Sequence, residues 1–79
     1  PTGTPVRSVL DAEVVFAGPK GGYGQLVELR HADGTTTRYA HLDRIDVSLG
    51  QRLERGELLG CANFVVLKVK AQMKMASWN

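Results

Sequence analysis

The stretch from Val27 to Leu42, which reads VELRHADGTTTRYAHL, decides the fold of this chain. Apolar and polar residues alternate on both sides of Asp33-Gly34. An Asp-Gly pair between two alternating runs is a strong hairpin signal. The stretch therefore predicts two antiparallel strands joined by a short turn.

A period of two extends over most of the remaining sequence. Glu13–Ala17 reads as a buried strand, and Gly18–Gly24 holds four glycines in seven residues and reads as a loop. Leu67–Met75 alternates apolar residues with lysines and a glutamine. We expect six or seven short strands, no substantial helix, and an all-β fold: a small antiparallel β-sheet domain of the barrel or sandwich type.

Size and composition narrow the classes of function. The 79 residues allow a single domain, residues 1–79, and a net charge of +2 from dispersed side chains does not favour nucleic acid as a partner. No apolar run approaches the ~20 residues of a membrane span, and we expect no signal peptide in this chain. Cys61 is the single cysteine, so no internal disulfide can form.

The hairpin is followed by glycines at a regular spacing. Tyr39-Ala40-His41-Leu42 precedes the segment Gly50–Gly60, which has the pattern Gly-x-x-Leu-x-x-Gly-x-x-Leu-Gly. Together these motifs resemble the middle of the lysostaphin/LytM-type zinc metalloendopeptidases, which cleave the peptide bridges of bacterial cell-wall peptidoglycan. The resemblance covers about residues 1–60, and the segment 61–79 diverges from it.

The resemblance implies a groove in an antiparallel β-sheet structure, with zinc at its floor in intact family members. His41 matches a family histidine that lies beside the metal and assists catalysis. Tyr23 and Tyr39 could line the groove and receive a peptide or glycan, since amphipathic aromatic side chains suit that task. Packing of both tyrosines at the edge of the core is the alternative.

Most of the family's metal ligands have no counterpart in this chain. The His-x-x-x-Asp motif is absent, and aligning Leu67 with the central leucine of the His-x-His motif puts Val66 and Lys68 where its histidines belong. Zinc catalysis needs about three protein ligands and an open position for water. We therefore expect no metal ligands and no zinc in this chain, and we expect it not to act as a peptidase.

The leading hypothesis is a truncated or degenerate domain of this family from a bacterial cell-envelope or periplasmic protein. Its remaining role would be to bind a peptidoglycan peptide, or to act as a scaffold for another envelope protein. A sheet edge left open in such a domain could pair with a second copy and form a homodimer.

Several alternatives remain open. Lys74 lies in a Met-Lys-Met sequence, as in biotinyl or lipoyl carrier domains, and could carry such a group. The chain could also be an engineered or recombined β-domain, joined near Cys61 and without a natural function. His31 is predicted to be structural or at the surface, and the spacing of Cys61, His31 and His41 matches no compact zinc pattern.

Overall fold

Eight β-strands form two sheets in the computed structural model, which describes residues 3–62 and the strand at residues 66–70. The strands are β1 (Thr4–Arg7), β2 (Ala12–Lys20), β3 (Gly24–His31), β4 (Thr36–Leu42), β5 (Arg44–Ile45), β6 (Arg52–Leu53), β7 (Leu58–Ala62) and β8 (Val66–Lys70). Within these described residues there is no helix. The predicted all-β class is confirmed, and the described part alone holds more strands than the six or seven expected.

Every strand pair in the two sheets is antiparallel. The larger sheet has five strands in the order β6-β2-β3-β4-β8, and the smaller has three in the order β1-β7-β5. Apolar side chains from both sheets join in one core cluster: Val6, Ala12, Val14, Val27, Leu29, Tyr39, Leu42, Val47, Leu53, Leu59 and Ala62. Removing such side chains from water drives folding, at about 1.5–3 kcal/mol for each large aliphatic residue.

The hairpin between β3 and β4 forms around Asp33-Gly34, as its sequence predicts. The carboxylate of Asp33 accepts hydrogen bonds from the backbone N–H of Thr35 at 3.0 Å and from its hydroxyl at 2.7 Å. The N–H of His31 donates to the carbonyl of Thr35, and Gly34 has a φ of 89°. These contacts fix the turn, and the turn fixes which residues of the two strands lie opposite each other.

The connection between β2 and β3 is shorter than the sequence suggests. A loop over Gly18–Gly24 was expected, but Gly18, Pro19 and Lys20 pair with Leu26, Gln25 and Gly24, so only Gly21–Tyr23 form the turn.

The connection between β2 and β3 is short because individual glycines reverse the chain direction, and the glycine-rich stretch as a whole does not form a loop. Gly22 and Gly24 adopt φ angles of 80° and 68°, which a three-residue reversal requires, and the flanking residues stay extended.

His31 is a buried part of the fold. Its side chain is 4% exposed, Nδ1 lies 2.9 Å from the carbonyl of Asp11, and Nε2 lies 2.9 Å from the hydroxyl of Thr37. A carbonyl only accepts, so Nδ1 carries a proton and donates to Asp11. The hydroxyl of Thr37 lies 3.2 Å from that of Tyr39, which completes a polar chain inside the sheet.

Beyond residue 62, the strand β8 extends the larger sheet. It pairs with β4 in an unbroken register from Thr36 opposite Lys70 to Ala40 opposite Val66. Residues 71–79, which include Lys74, lie outside the described part. No helix among the described residues is long and apolar enough to cross a membrane.

Candidate functional site

His41 lies at the end of β4 in a backbone conformation that side chains rarely adopt. Its φ is 60°, and it is the one residue other than glycine with a positive φ among those described. A left-handed conformation costs a non-glycine residue about 1–2 kcal/mol, and such strain is common at functional sites. The residue is exposed.

A β-bulge produces this conformation. Val27 pairs with Tyr39, but Gln25 pairs with Leu42, so β4 has one residue more than β3 over this interval. Ala40 and His41 therefore share the place of one residue, and the local backbone bends. Without the bulge, strict alternation would place His41 on the same face as the buried Tyr39.

The turn between β2 and β3 holds the bulge in place. The backbone N–H of His41 donates to the carbonyl of Tyr23 at 2.9 Å. Gly24 lies beside the imidazole: a Cβ at Gly24 would be 3.5 Å from Nδ1 of His41. The sequence motif Tyr-x-His-Leu and the glycine-rich turn thus meet at one end of the larger sheet.

Tyr23 connects this end of the sheet to Arg38. The guanidinium carbon of Arg38 lies 5.9 Å from the centre of the Tyr23 ring, and its Nη1 lies 3.4 Å from the tyrosine hydroxyl. Nε of Arg38 lies 3.4 Å from Oε1 of Glu28, which forms an ion pair across the two strands.

This ion pair does not satisfy Arg38 completely. The contact from Nε to Glu28 lacks hydrogen-bond geometry, and among the described residues this buried nitrogen has no hydrogen-bond partner. A buried donor without a partner costs about 1–3 kcal/mol. Arg38 therefore has hydrogen-bonding capacity that its described neighbours do not use.

The two predicted groove tyrosines occupy different environments. Tyr39 is 2% exposed and belongs to the hydrophobic core, where its hydroxyl meets Thr37. Tyr23 is half-buried and has one side of its ring near Arg38. Tyr23 is therefore the tyrosine that a ligand at this end of the sheet can reach, and a binding role for it stays a prediction.

The described residues do not provide a metal site. No three histidine, cysteine, aspartate or glutamate side chains in residues 3–62 and 66–70 lie close enough together to hold one ion. Cys61 is buried in β7, opposite Pro5 and Arg44, and His31 is engaged inside the larger sheet. The donor set present in this part does not fit the zinc site that the family resemblance implies.

A separate cleft lies at the other end of β3. It has a volume of about 470 Å³ and is lined by Leu10, Asp11, His31, Ala32, Asp33 and Arg55. β3 has 8 residues, which at ~3.3 Å per residue puts this cleft roughly 25 Å from Gly24 and His41. We do not place the candidate site there, because none of its lining residues belongs to the bulge or the glycine turn.

Arg38 is the site residue that the sequence analysis did not single out. A signal was available: the Asp33-Gly34 turn sets the register in which Glu28 lies opposite Arg38. The contact between Arg38 and Tyr23 had no such signal in the sequence. Arg38 lies in β4, Tyr23 lies in the turn between β2 and β3, and no local pattern relates the two positions.

Comparison with known proteins identifies the class to which this fold and motif belong. The family described as Peptidase family M23 matches residues 1–71. The chain belongs to Peptidase family M23, which confirms the resemblance predicted from the sequence.

Individual relatives agree with this assignment. The DD-carboxypeptidase/endopeptidase Mpg of Neisseria meningitidis serogroup B is 47% identical over 60 residues, which are 76% of this chain and 14% of that protein. The peptidoglycan DD-endopeptidase ShyA of Vibrio cholerae is 38% identical over 60 residues, again 76% of this chain and 14% of the relative. The chain thus spans about a seventh of the length of these curated relatives.

A solved structure shows the same architecture. The crystal structure of a zinc-containing peptidase from Vibrio cholerae superposes with a TM-score of 0.77 at 28% identity, over 89% of this chain and 24% of that one. The match to the family reaches past residue 60, and β8 pairs regularly with β4. Both observations argue against a graft near Cys61, and the family match does not favour a carrier domain.

Proposed function

We propose that this chain is a non-catalytic domain of Peptidase family M23 that binds the peptide part of bacterial cell-wall peptidoglycan. The binding surface is the end of the larger sheet that holds His41 and Tyr23. The observation that carries the proposal is the exposed His41, held by Tyr23 in a strained conformation where the family motif has its functional histidine. Strain of this kind persists only where the surrounding structure enforces it.

Two further observations support the absence of catalysis and the class of ligand. No three of the described histidine, cysteine and carboxylate side chains lie close enough together to hold one ion, and activation of water by a metal needs such a group. Relatives with 38–47% identity are named as enzymes that act on peptidoglycan or as DD-carboxypeptidases. The peptides of peptidoglycan are therefore the ligand class that we propose for the surface around His41 and Tyr23.

Co-sedimentation with purified insoluble peptidoglycan tests the binding. The chain should sediment with the polymer, and His41→Gln should weaken the association by about threefold to tenfold, the loss expected for one or two polar contacts. Arg55→Gln is the matched control, because Arg55 lines the cleft at the opposite end of β3. Equal binding by both variants and the original chain would refute the proposed surface.

Chromatography of the soluble fraction tests the absence of catalysis. We expect no released peptide fragments, with or without added zinc. Release of fragments that depends on zinc would show that the chain completes a metal site, and the non-catalytic assignment would then be wrong.

Location and assembly follow the same proposal. A peptidoglycan ligand places the domain in the periplasm or cell envelope. A homodimer would form through an open edge of a sheet, and light scattering on the purified chain would give its mass. A monomer that still sediments with peptidoglycan would remove the dimer and leave the binding function intact.

A further inference from the structure

One face of the larger sheet combines cations with aromatic rings. Phe16, Glu28 and Arg38 lie opposite one another on β2, β3 and β4, so their side chains share a face. Nζ of Lys20 lies 5.2 Å from the centre of the Phe16 ring, and Tyr23 lies against Arg38. We call Phe16, Lys20, Tyr23, Glu28 and Arg38 the cation–aromatic face.

The charges of this face do not cancel. Within the cation–aromatic face there are two cations, Lys20 and Arg38, and one carboxylate, Glu28. The neighbouring row differs, because there Glu13 and Arg30 form a one-to-one ion pair at 3.4 Å.

Arg38 is the group of this face with unused donors. A guanidinium has five N–H donors arranged to meet a carboxylate with two parallel hydrogen bonds. The described contacts of Arg38 are both long, 3.4 Å from Nε to Glu28 and 3.4 Å from Nη1 to the Tyr23 hydroxyl, and no hydrogen bond among the described residues uses Nη2. Half-burial of Arg38 and Glu28 reduces their screening by water.

We propose that the cation–aromatic face binds a carboxylate of the peptide ligand, with Arg38 as the residue that contacts it. Tyr23 holds the guanidinium in place, and Glu28 orients it from the opposite side without neutralising the face. This inference rests on the proposed peptidoglycan-peptide function and adds which chemical group is recognised. The carboxylate is either the free C-terminus of a peptide or a side-chain carboxylate.

Titration of the isotope-labelled chain with acetylated peptides ending in D-Ala-D-Ala, followed by NMR, tests the proposal. One peptide has a free C-terminal carboxylate, the second has a C-terminal amide, and the third is an amide with one D-glutamate. We expect at least one of the two carboxylate-bearing peptides to bind about tenfold or more tightly than the neutral amide, the effect of a charged hydrogen-bonded pair. Which one binds identifies the source of the carboxylate.

Variants connect the preference to Arg38. Arg38→Gln should remove the difference between the charged and neutral peptides, whereas Arg38→Lys should keep part of it. Arg30→Gln is the matched control, because Arg30 lies on the same face of β3, is exposed and is paired with Glu13. It should retain the full preference. Glu28→Gln offers a second route, since it removes the carboxylate that competes with the ligand for the guanidinium and should strengthen carboxylate binding.

The outcomes separate this inference from the function on which it rests. Equal binding of the three peptides by the original chain would overturn carboxylate recognition but leave peptide binding standing. A preference that survives Arg38→Gln in a variant with an unchanged NMR fold would also overturn it. Failure of every peptide to bind would refute both the inference and the proposed peptide-binding function.

Discussion

The backbone N–H of His41 donates a hydrogen bond of 2.9 Å to the carbonyl of Tyr23. This contact joins the β-bulge in β4 to the glycine turn between β2 and β3. Because the bond is between backbone atoms, it holds the position of the imidazole without depending on the imidazole itself. The side chain can therefore be replaced while the surface that presents it stays formed.

His41→Gly should retain or increase stability. Glycine adopts a φ of 60° without the steric cost of a Cβ, which offsets its greater freedom in the unfolded chain. His41→Val should lower the free energy of unfolding by about 1–3 kcal/mol, because β-branched residues are especially unfavourable at positive φ. Urea unfolding of both variants checks this, and a strong loss of stability in His41→Gly would contradict the assigned strain.

Gly60→Ala should disrupt the smaller sheet. A Cβ at Gly60 would overlap the backbone carbonyl of Arg44 on β5. Neither strand can move away without breaking the pairing of Gly60 with Ile45. We therefore expect the free energy of unfolding to fall by about 1–3 kcal/mol.

Gly21→Ala is the control for that variant. A Cβ at Gly21 would have no atom within 4 Å, and its φ is not positive. Its unfolding midpoint should stay close to that of the original chain. Similar midpoints for Gly60→Ala and Gly21→Ala would show that β5 is not held against β7 as described.

Thr37→Val should lower the free energy of unfolding, because Thr37 links His31 and Tyr39 in the buried polar chain. The substitution keeps the shape of the side chain but leaves Nε2 of His31 and the hydroxyl of Tyr39 without the Thr37 partner, at a cost of about 1–3 kcal/mol. In the double variant Thr37→Val/His31→Leu, the loss of unfolding free energy should be smaller than the sum of the two single losses. We expect a difference of about 0.5 kcal/mol or more, since the two residues contact each other directly. Strict additivity in urea unfolding would argue that the contact contributes nothing.

The acid sensitivity of the β3–β4 turn depends on Asp33. The hydroxyl of Thr35, and then its backbone N–H, lower the pKa of Asp33 below its ordinary value of 3.8. A lowered folded-state pKa means that this carboxylate adds stability above pH 3.8 and loses it as the pH falls through the folded-state value. Thr35→Ala should move the pKa back toward 3.8.

An NMR titration of the Asp33 carboxyl carbon measures this shift directly. Asp33→Asn provides the companion experiment: its unfolding temperature should fall less than that of the original chain when the pH is lowered through 3.8. An unchanged pKa in Thr35→Ala would show that the hydroxyl does not set it.

Prediction from the sequence succeeded where local patterns carry the information. The alternation around Asp33-Gly34 predicted the two strands of the hairpin, because side chains change face with every residue. It was less successful between Gly18 and Gly24, where many glycines suggested a wide loop although the strands continue to Lys20. Glycine content shows that special φ angles are available, but it does not show how many residues use them.

The candidate site was predictable in part. The motif around His41 indicated which histidine to consider, and the family match confirms the resemblance that the motif suggested. Its exposure could not be read from the period of two, because the bulge at Ala40-His41 breaks that period. Tyr23 and Tyr39 looked equivalent in the sequence, yet one is in the core and the other lies beside Arg38.

The sequence by itself determined the all-β class, the β3–β4 hairpin and membership of Peptidase family M23, since these depend on residue types and short spacings along the chain. The tertiary structure decided that His31 is buried against Thr37, that Gly60 must be glycine beside Arg44, and that Arg38 meets Tyr23. Each of these contacts joins residues on different strands or turns. Alternation fixes which residues of a strand share a face, but only packing decides what covers that face.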